Sequence, residues 1–255
     1  MSSAPPQFRV KLAETEAELR AAQALRYRVF VQELGADGEM VDHEAGLEVD
    51  RFDADFDHLL LIDDSKNSAV VGVYRLLLEH DMPKIGQFYS EGEYDISVLK
   101  SSGRKLLELG RSCLDTEYRG GAAMYYLWNG LAEYVTANGV EILFGTASFH
   151  GTDVEALAAP LTLLHDRHLA PEDLRVRTLP QVYQRMDLCD PATLDRRKAM
   201  LQVPALIKGY LRLGGFVGDG AFVDHDFNTV DVCLVMDTKR LSETQKSIYA
   251  KGVEA

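Results

Sequence analysis

The sequence predicts a mixed α/β fold, and three patterns along the chain predict it. Residues 15–30 have the spacing of an amphipathic helix, and residues 58–78 contain two β-rich runs around a polar turn. Residues 106–149 read in turn as strand, helix and strand. A strand, a crossover helix and a second strand within so short a span are typical of a βαβ-like unit, whose ligands commonly bind at the carboxyl end of the first strand.

Composition and charge exclude several classes of protein. The 255 residues are 46 % hydrophobic and 26 % charged, which predicts a single globular domain over 1–255, with halves at 8–150 and 151–255. A net charge of −13 argues against nucleic acid as a partner. Apolar runs fall short of the roughly 20 residues of a bilayer helix, and residues 1–7 lack a secretory signal pattern. With three scattered cysteines, these features predict a cytoplasmic protein.

The N-terminal elements have strong local signals. Thr15 and Glu18 have capping-box spacing, and the apolar residues that follow at helical intervals predict a helix ending near Gly35. The runs 58–63 and 69–78 are separated by a cluster of polar turn residues. They therefore predict a hairpin.

The strand predicted at 106–114 is the most informative part of the chain, because its apolar run contains Glu108 and Arg111. Buried charges are costly, so a strand usually carries them only when they are paired or work in a cleft. A Gly-rich turn follows and opens a helix that lasts to Gly139, before a buried strand at 140–149. Backbone N–H groups at such a helix start bind anions. The arrangement indicates group transfer from a phosphate-bearing carrier.

The second half of the chain is less regular. Helical spacing over 153–169 is interrupted by Pro160, residues 204–213 predict a short basic amphipathic helix, and residues 230–236 predict a late strand. These elements are expected to complete the same sheet. The stretch 174–194 fits strand, turn and helix equally.

A local excess of positive charge lies within this acidic chain. Residues 157–212 hold nine basic and six acidic side chains, a net charge of +3. Such a patch suits an acidic protein partner or an anionic membrane surface. A solvated helical face with mixed charges explains it equally well.

Several blocks together resemble the ornithine N-alpha-acyltransferase family of ornithine-lipid synthesis. The blocks are 25–34, 50–53, 57–60, 71–76, 88–91, 108–113, 208–214 and 226–231. The early ones are also similar to acyl-homoserine-lactone synthases. The resemblance implies a GNAT fold, with a central mixed twisted β-sheet flanked by helices and an elaborated C-terminal half. It further implies transfer of a 3-hydroxyacyl chain from acyl carrier protein to the α-amine of ornithine, giving lyso-ornithine lipid.

The Gly-rich turn departs from the GNAT pattern for coenzyme A. Ala122 and Met124 occupy positions where that loop usually has glycines. Phosphopantetheine on a carrier protein offers one phosphodiester and needs fewer backbone donors, so we expect a carrier-bound donor and no bound cofactor. The residues assigned to phosphopantetheine are Arg119, Gly120, Gly121 and Ala122. Those assigned to docking of the carrier protein are Arg196, Arg197, Lys198 and Lys208.

The reaction requires a base, because an α-amine is mostly protonated at pH 7 and must lose a proton before it attacks a thioester. Glu108, which matches the glutamate of the family motif, is the candidate. Alternatively, it only pairs with Arg111 or Arg75. The N–H of Ser112 or Cys113 is the candidate donor to the tetrahedral oxyanion.

An amino-acid acceptor needs an arginine for its carboxylate and, for ornithine, an acid for its side-chain ammonium. Candidates for the first role are Arg26, Arg75 and Arg111, and for the second Asp50 and Asp53. Phe30 joins the predicted substrate set by resemblance, and Asp50 also stands in the predicted catalytic set. A structural ion-pair network is the alternative for each charged residue.

The remaining polar candidates are expected to have structural roles and not catalytic or metal-binding ones. Cys113 is expected to be a small core residue, and His58 to cap or pack. His165 and His168 lack a third ligand in view, so no metal is expected.

Other functions stay open at this point. Glutamine is a serious alternative acceptor, and a homoserine-lactone synthase or a coenzyme A-dependent acetyltransferase would share parts of the pattern. From another class, a non-catalytic peripheral membrane protein would use the basic helix at 204–213 as an anchor. For the enzyme, too, a peripheral contact with the inner membrane is expected.

Overall fold

A computed structural model describes residues 5–241, and these divide into two units. The first comprises residues up to 77 together with 109–139, and the second comprises 78–108 and 140–241. The expectation of a single domain stays a prediction. The expected lack of a secretory signal at 1–7 falls partly outside the described residues.

Strands and helices are interspersed along the chain. In order, they are β1 Phe8–Leu12, α1 Glu16–Arg26, a π-helical segment Tyr27–Glu33, β2 Val41–Asp42, β3 Leu47–Glu48, β4 Asp57–Asp63, β5 Ala69–Leu78, α2 Met82–Ile85, β6 Tyr94–Asp95, α3 Ser97–Lys100, β7 Leu106–Leu114, α4 Ala123–Asn138, β8 Ile142–His150, α5 Ala158–His168, β9 Arg177–Thr178, α6 Arg196–Gln202, α7 Ala205–Arg212, β10 Phe216–Asp224 and β11 Thr229–Asp237.

The sheet of the first unit has the strand order β1, β4, β5, β7, with β4 antiparallel to both β1 and β5. Helix α1 buries Ala22 and Leu25 against Leu60 and Val73 of the sheet. On α4, Gly130 allows close packing against β1, because an added Cβ would lie 2.3 Å from Cγ1 of Val10.

The sheet of the second unit is mixed, in the order β7, β8, β11, β10, β9, β6. Strands β7 and β8 are parallel, with Glu108 opposite Phe144. Strand β11 runs antiparallel to both β8 and β10. Helices α5 and α7 contact β10 and β11, so helices flank the sheet as expected.

Several local predictions are confirmed. The capping box of Thr15 and Glu18 is present, and the helical region that it opens continues through the π-helical segment to Glu33, with Leu34 as the C-cap, close to Gly35. The hairpin forms from β4 and β5, and α4 ends at Gly139 in a left-handed conformation.

Pro160 does not interrupt a helix, contrary to the expectation from sequence. Helix α5 begins at Ala158, so Pro160 lies in its first turn, where the missing N–H would have no intrahelical partner. The undecided stretch 174–194 is mostly irregular, with one two-residue strand, β9. Within 5–241, no helix combines the length and apolarity needed to cross a bilayer.

Candidate active site

A buried network of arginines and carboxylates occupies the first unit. The Arg26 guanidinium, which is fully buried, contacts Asp53 through Nη1 to Oδ1 at 2.7 Å and Nη2 to Oδ2 at 2.9 Å. It also donates from Nε to a carboxylate oxygen of Glu48 and from Nη2 to the Glu48 carbonyl oxygen. Gln23 donates to Asp53 at 3.0 Å. The chain thus surrounds Arg26 with acceptors from β3 and the loop after it.

Two further arginines extend this network. Arg75 on β5 donates to Asp50 at 2.6 Å and to Asp53 at 3.0 Å. Arg111 on β7 has a left-handed backbone, with φ of 50°, and reaches Glu48 and Asp50 at 3.1 Å each. Five predicted site residues therefore meet, and Glu48 joins them. Sequence reasoning missed Glu48, although a carboxylate shortly before the Asp50–Asp53 block could have indicated it.

The arginines of the network favour the charged form of Asp50 and Asp53. Burial would raise the pKa of Asp53, but Arg26 and Arg75 lower it well below its usual range. Burial likewise opposes the effect of Arg75 and Arg111, which together lower the pKa of Asp50. Three guanidinium groups face three carboxylates, so this set is close to electrically balanced. Its most exposed side chains are Asp50 and Arg111, at 12 % and 8 %.

Other predicted residues of the first unit are buried or partly buried. His58 is buried and its Nε2 lies 2.9 Å from the Asp53 carbonyl oxygen; burial lowers its pKa. This confirms a packing role. Cys113 is in the core, where burial raises its pKa to about 12, and Phe30 packs against the same cluster. The Oγ of Ser112 is buried and has no hydrogen-bond partner among the described residues.

The Gly-rich turn opens α4, as predicted. Gly120 has a φ of 75°, and Ala122 is the N-cap without a side-chain hydrogen bond to the helix. Arg119 is held by the Glu33 carboxylate and by two bonds to the Leu114 carbonyl oxygen. The turn itself is exposed.

Glu108 lies in the second unit and is 1 % exposed. Its two carboxylate oxygens accept from the backbone N–H groups of Tyr89 at 2.8 Å and Ser90 at 2.6 Å. Hydrogen bonds to a charged acceptor are strong and directional, so they fix the carboxylate in place. Sequence reasoning singled out the 88–91 block without assigning it this role.

A second group of acids was missed. Glu93, Asp224 and Asp231 are buried and have carboxylate oxygens within 4.8 Å of one another. The available signal was Asp231, a charge inside the apolar run of β11. His165 and His168, in contrast, join no such group among the described residues.

The predicted docking residues lie on two short helices of the second unit. Arg196, Arg197 and Lys198 form the exposed first turn of α6, where Asp195 caps the helix by accepting from the Lys198 N–H at 3.1 Å. Lys208 lies on α7 and is partly exposed. Neighbouring acids pair with several other basic residues of this segment, among them Arg167 and Arg185.

Comparison with known proteins gives similarity along the whole chain. Residues 25–129 match the model of the acetyltransferase (GNAT) domain. An L-ornithine N(alpha)-acyltransferase of Rhodobacter capsulatus is 55 % identical over 100 % of this chain and 99 % of its own length. One of Brucella abortus, with the same name, is 41 % identical over 96 % of this chain and 89 % of its own length.

The fold is similar to that of a solved N-acyl amino acid synthase from uncultured soil microbes. The TM-score is 0.52 at 10 % identity, with 92 % of each chain covered. At that identity, the similarity concerns the fold, which is of the GNAT type.

Proposed function

The chain belongs to the family of L-ornithine N(alpha)-acyltransferases, and on that premise we propose that it transfers a 3-hydroxyacyl chain from acyl carrier protein to the α-amine of ornithine. The product is lyso-ornithine lipid, so the reaction is the first step of ornithine-lipid synthesis. The observation that carries this proposal is similarity to ornithine acyltransferases over the entire chain, not over the GNAT segment alone.

Glu108 is the proposed base. Two backbone N–H groups hold its carboxylate in one orientation inside the second unit, which is the preorganisation that proton transfer requires. In the proposed step, Glu108 accepts a proton from the α-ammonium, directly or through one water molecule. The amine nitrogen then attacks the thioester carbonyl carbon.

The intermediate and its collapse complete the transfer. Attack places negative charge on the carbonyl oxygen, which the backbone N–H of Ser112 or Cys113 is proposed to stabilise. As the C–S bond breaks, the nitrogen loses its second proton and the sulfur takes up a proton, so that an amide remains and the carrier leaves with a free thiol. Glu108 then releases its own proton to solvent. This chemistry uses no bound cofactor; the phosphopantetheine arm arrives with the carrier.

We assign the charged groups of the two substrates to two places: the more exposed side of the buried arginine–carboxylate network and the Gly-rich turn before α4. Arg111, with Arg26 and Arg75 behind it, is proposed to attract the ornithine carboxylate, and Asp50 lies beside it. The turn from Arg119 to Ala122 is proposed to hold the phosphodiester of phosphopantetheine, using N–H groups at the start of α4. The first turn of α6 and Lys208 are proposed to dock the acidic carrier protein, and contact with the inner membrane is proposed to be peripheral.

Mass spectrometry of the products tests the proposal. The enzyme is incubated with 3-hydroxyacyl carrier protein and an equimolar mixture of ornithine, glutamine and homoserine, with unacylated carrier as the control. We expect N-acylornithine to exceed every other product at least tenfold. A dominant acylglutamine or acylhomoserine contradicts the acceptor, and no acylated product contradicts the donor.

A further inference from the structure

One face of the sheet in the second unit carries a line of polar side chains. On β11, Thr229, Asp231 and Cys233 alternate with the buried valines 230 and 232 and so lie on the same face. Thr229 is directly opposite Asp224 of β10. Residues paired in this way have side chains on the same face and in contact range. The line therefore joins the two strands.

The acids of this line meet Glu93. Oxygens of Glu93, Asp224 and Asp231 lie within 4.8 Å of one another, and none of the three residues is more than 8 % exposed. Carboxylates brought so close out of water repel one another and lose hydration. A cation among them relieves both penalties.

The Thr229 hydroxyl provides an independent indication of a ligand. Its Oγ1 is buried, the residue is 5 % exposed, and the oxygen has no hydrogen-bond partner among residues 5–241. A buried polar atom without a partner costs free energy, and this one projects from the face that carries Asp224 and Asp231. A ligand that donates hydrogen bonds would satisfy it.

Asp231 and the proposed base, Glu108, lie on the same face of the sheet. Burial raises the pKa of Cys233, and the carboxylates of Glu108 and Glu93 raise it further. Glu108 pairs with Phe144 of β8. Along β8, Thr146 and the exposed Ser148 lie on the same face as Phe144, and they pair with Cys233 and Asp231 of β11.

We propose that Glu93, Asp224 and Asp231, with the Thr229 hydroxyl, bind the side-chain ammonium of ornithine. An ammonium has three N–H donors, and three acceptors about 2.8 Å from a tetrahedral nitrogen lie about 4.6 Å apart, which fits the 4.8 Å limit on the spacing of these carboxylate oxygens. This inference rests on the proposed function, because that function supplies a substrate with a second amine.

Substrate selectivity tests the site. L-norvaline is ornithine without the side-chain amine, so only ornithine uses the acidic group. Asp231→Asn, which keeps the shape but removes the charge, is expected to lower kcat/KM for ornithine at least 30-fold and to change that for norvaline less than threefold. Asp224→Asn serves as a second variant. Asp226→Asn, an exposed carboxylate in the same β10–β11 turn, is the matched control and should leave both values unchanged.

Four other outcomes overturn the inference in distinguishable ways. Equal losses for ornithine and norvaline indicate a structural role, and unchanged ornithine kinetics place the ammonium elsewhere. Calorimetric titration with Ca²⁺ or Mg²⁺ that reports binding to wild type but not to Asp231→Asn, with selectivity unaltered, identifies a metal site instead. If wild type fails to acylate ornithine, the proposed function fails; calorimetry with ornithine and norvaline then tests the ammonium site by itself, and equal affinities contradict it.

Discussion

Arg26 and Asp53 form a two-point pair, with guanidinium and carboxylate aligned at 2.7 Å and 2.9 Å, and both are essentially removed from solvent. Such a pair is weak evidence of stability by itself, because burying two charges costs about as much as their attraction returns. Removing one partner is different. It leaves the remaining charge buried without compensation.

Replacement of Arg26 by Met should therefore destabilise the fold strongly. Glu48 and Asp53 would remain buried without their guanidinium, which typically costs about 3–5 kcal/mol. Urea unfolding measures the change. The matched control is Arg20→Met, on the exposed side of the same helix, which should stay within about 0.5 kcal/mol. If both variants lose a similar free energy of unfolding, Arg26 does not stabilise the fold through this network.

Asp63 predicts a pH-dependent contribution to stability. Burial would raise its pKa, but hydrogen bonds from Ser65, the Gln7 N–H and the Tyr118 hydroxyl lower it to about 2. Because the folded pKa is below the unfolded value of about 3.9, the carboxylate stabilises the fold above that value, and this contribution is lost as pH falls toward 2.

Asp63→Asn should lower the free energy of unfolding at pH 7 by about 1–3 kcal/mol, since the amide cannot accept the same set of donors. The difference from wild type should shrink between about pH 4 and 2. Urea unfolding across that range measures it, with the exposed Asp55→Asn as control. A difference independent of pH would show that the carboxylate charge is not involved.

Glu108→Gln should reduce kcat roughly 100-fold, the usual scale for loss of a general base. It should also lower the free energy of unfolding by about 1–3 kcal/mol, because the amide NH2 cannot accept from both backbone N–H groups, and the enzyme should remain folded. Thermal unfolding and binding of the acylated carrier check that the variant is otherwise intact. Glu172→Gln, an exposed glutamate of the same unit, is the control and should retain full turnover. Turnover of the Glu108 variant near that of wild type, with an unchanged pH profile, would remove Glu108 from the mechanism.

Local patterns predicted most of the elements but not all. The β4–β5 hairpin and α4 follow from alternation and helical spacing within one segment, so sequence suffices. Strand β10 has Gly218, Asp219 and Gly220 in its middle, a pattern typical of a turn. In the structure these glycines serve close contacts instead, because a Cβ on Gly218 would lie 2.6 Å from Val176 and one on Gly220 2.4 Å from Tyr183.

For the candidate site, too, the sequence indicated which residues take part but not which of them contact one another. Residue types identified Arg26 and Asp53, yet their pairing joins positions 27 residues apart and depends on the fold. The meeting of Asp231 with Glu93 spans most of the second unit. Tyr94, the neighbour of Glu93, likewise donates to the Asp231 carbonyl oxygen across 137 residues. No pattern within one segment contains such contacts.

The basic first turn of α6 predicts a salt-dependent interaction with the carrier. Reversing the charges of Arg196, Arg197 and Lys198 together should raise the KM for acyl carrier protein about tenfold or more at low salt and flatten its dependence on ionic strength. Initial rates across a salt series measure this. An equal reversal at Arg9, Arg20 and Lys66, which are exposed residues outside the segment, is the control. If the charge-reversal variant has the same KM for acyl carrier protein as wild type at every salt concentration, α6 is excluded as the docking site.

The turn before α4 predicts the choice of acyl donor. Coenzyme A carries a pyrophosphate and a further phosphate that need several convergent N–H donors, whereas carrier-bound phosphopantetheine has one phosphodiester. Ala122, the N-cap of α4, and Met124, in its first turn, add side chains where glycines would give a pyrophosphate room and backbone freedom. We therefore expect kcat/KM for 3-hydroxyacyl carrier protein to exceed that for the matching acyl coenzyme A at least tenfold, about 1.4 kcal/mol.

Ala122→Gly with Met124→Gly should reduce this difference in kcat/KM by improving the use of acyl coenzyme A. Ala192→Gly, at an exposed position far along the chain, is the control and should not change it. Equal use of both donors by wild type would contradict this role of the turn, since nothing in the two thioesters themselves distinguishes their reactivity.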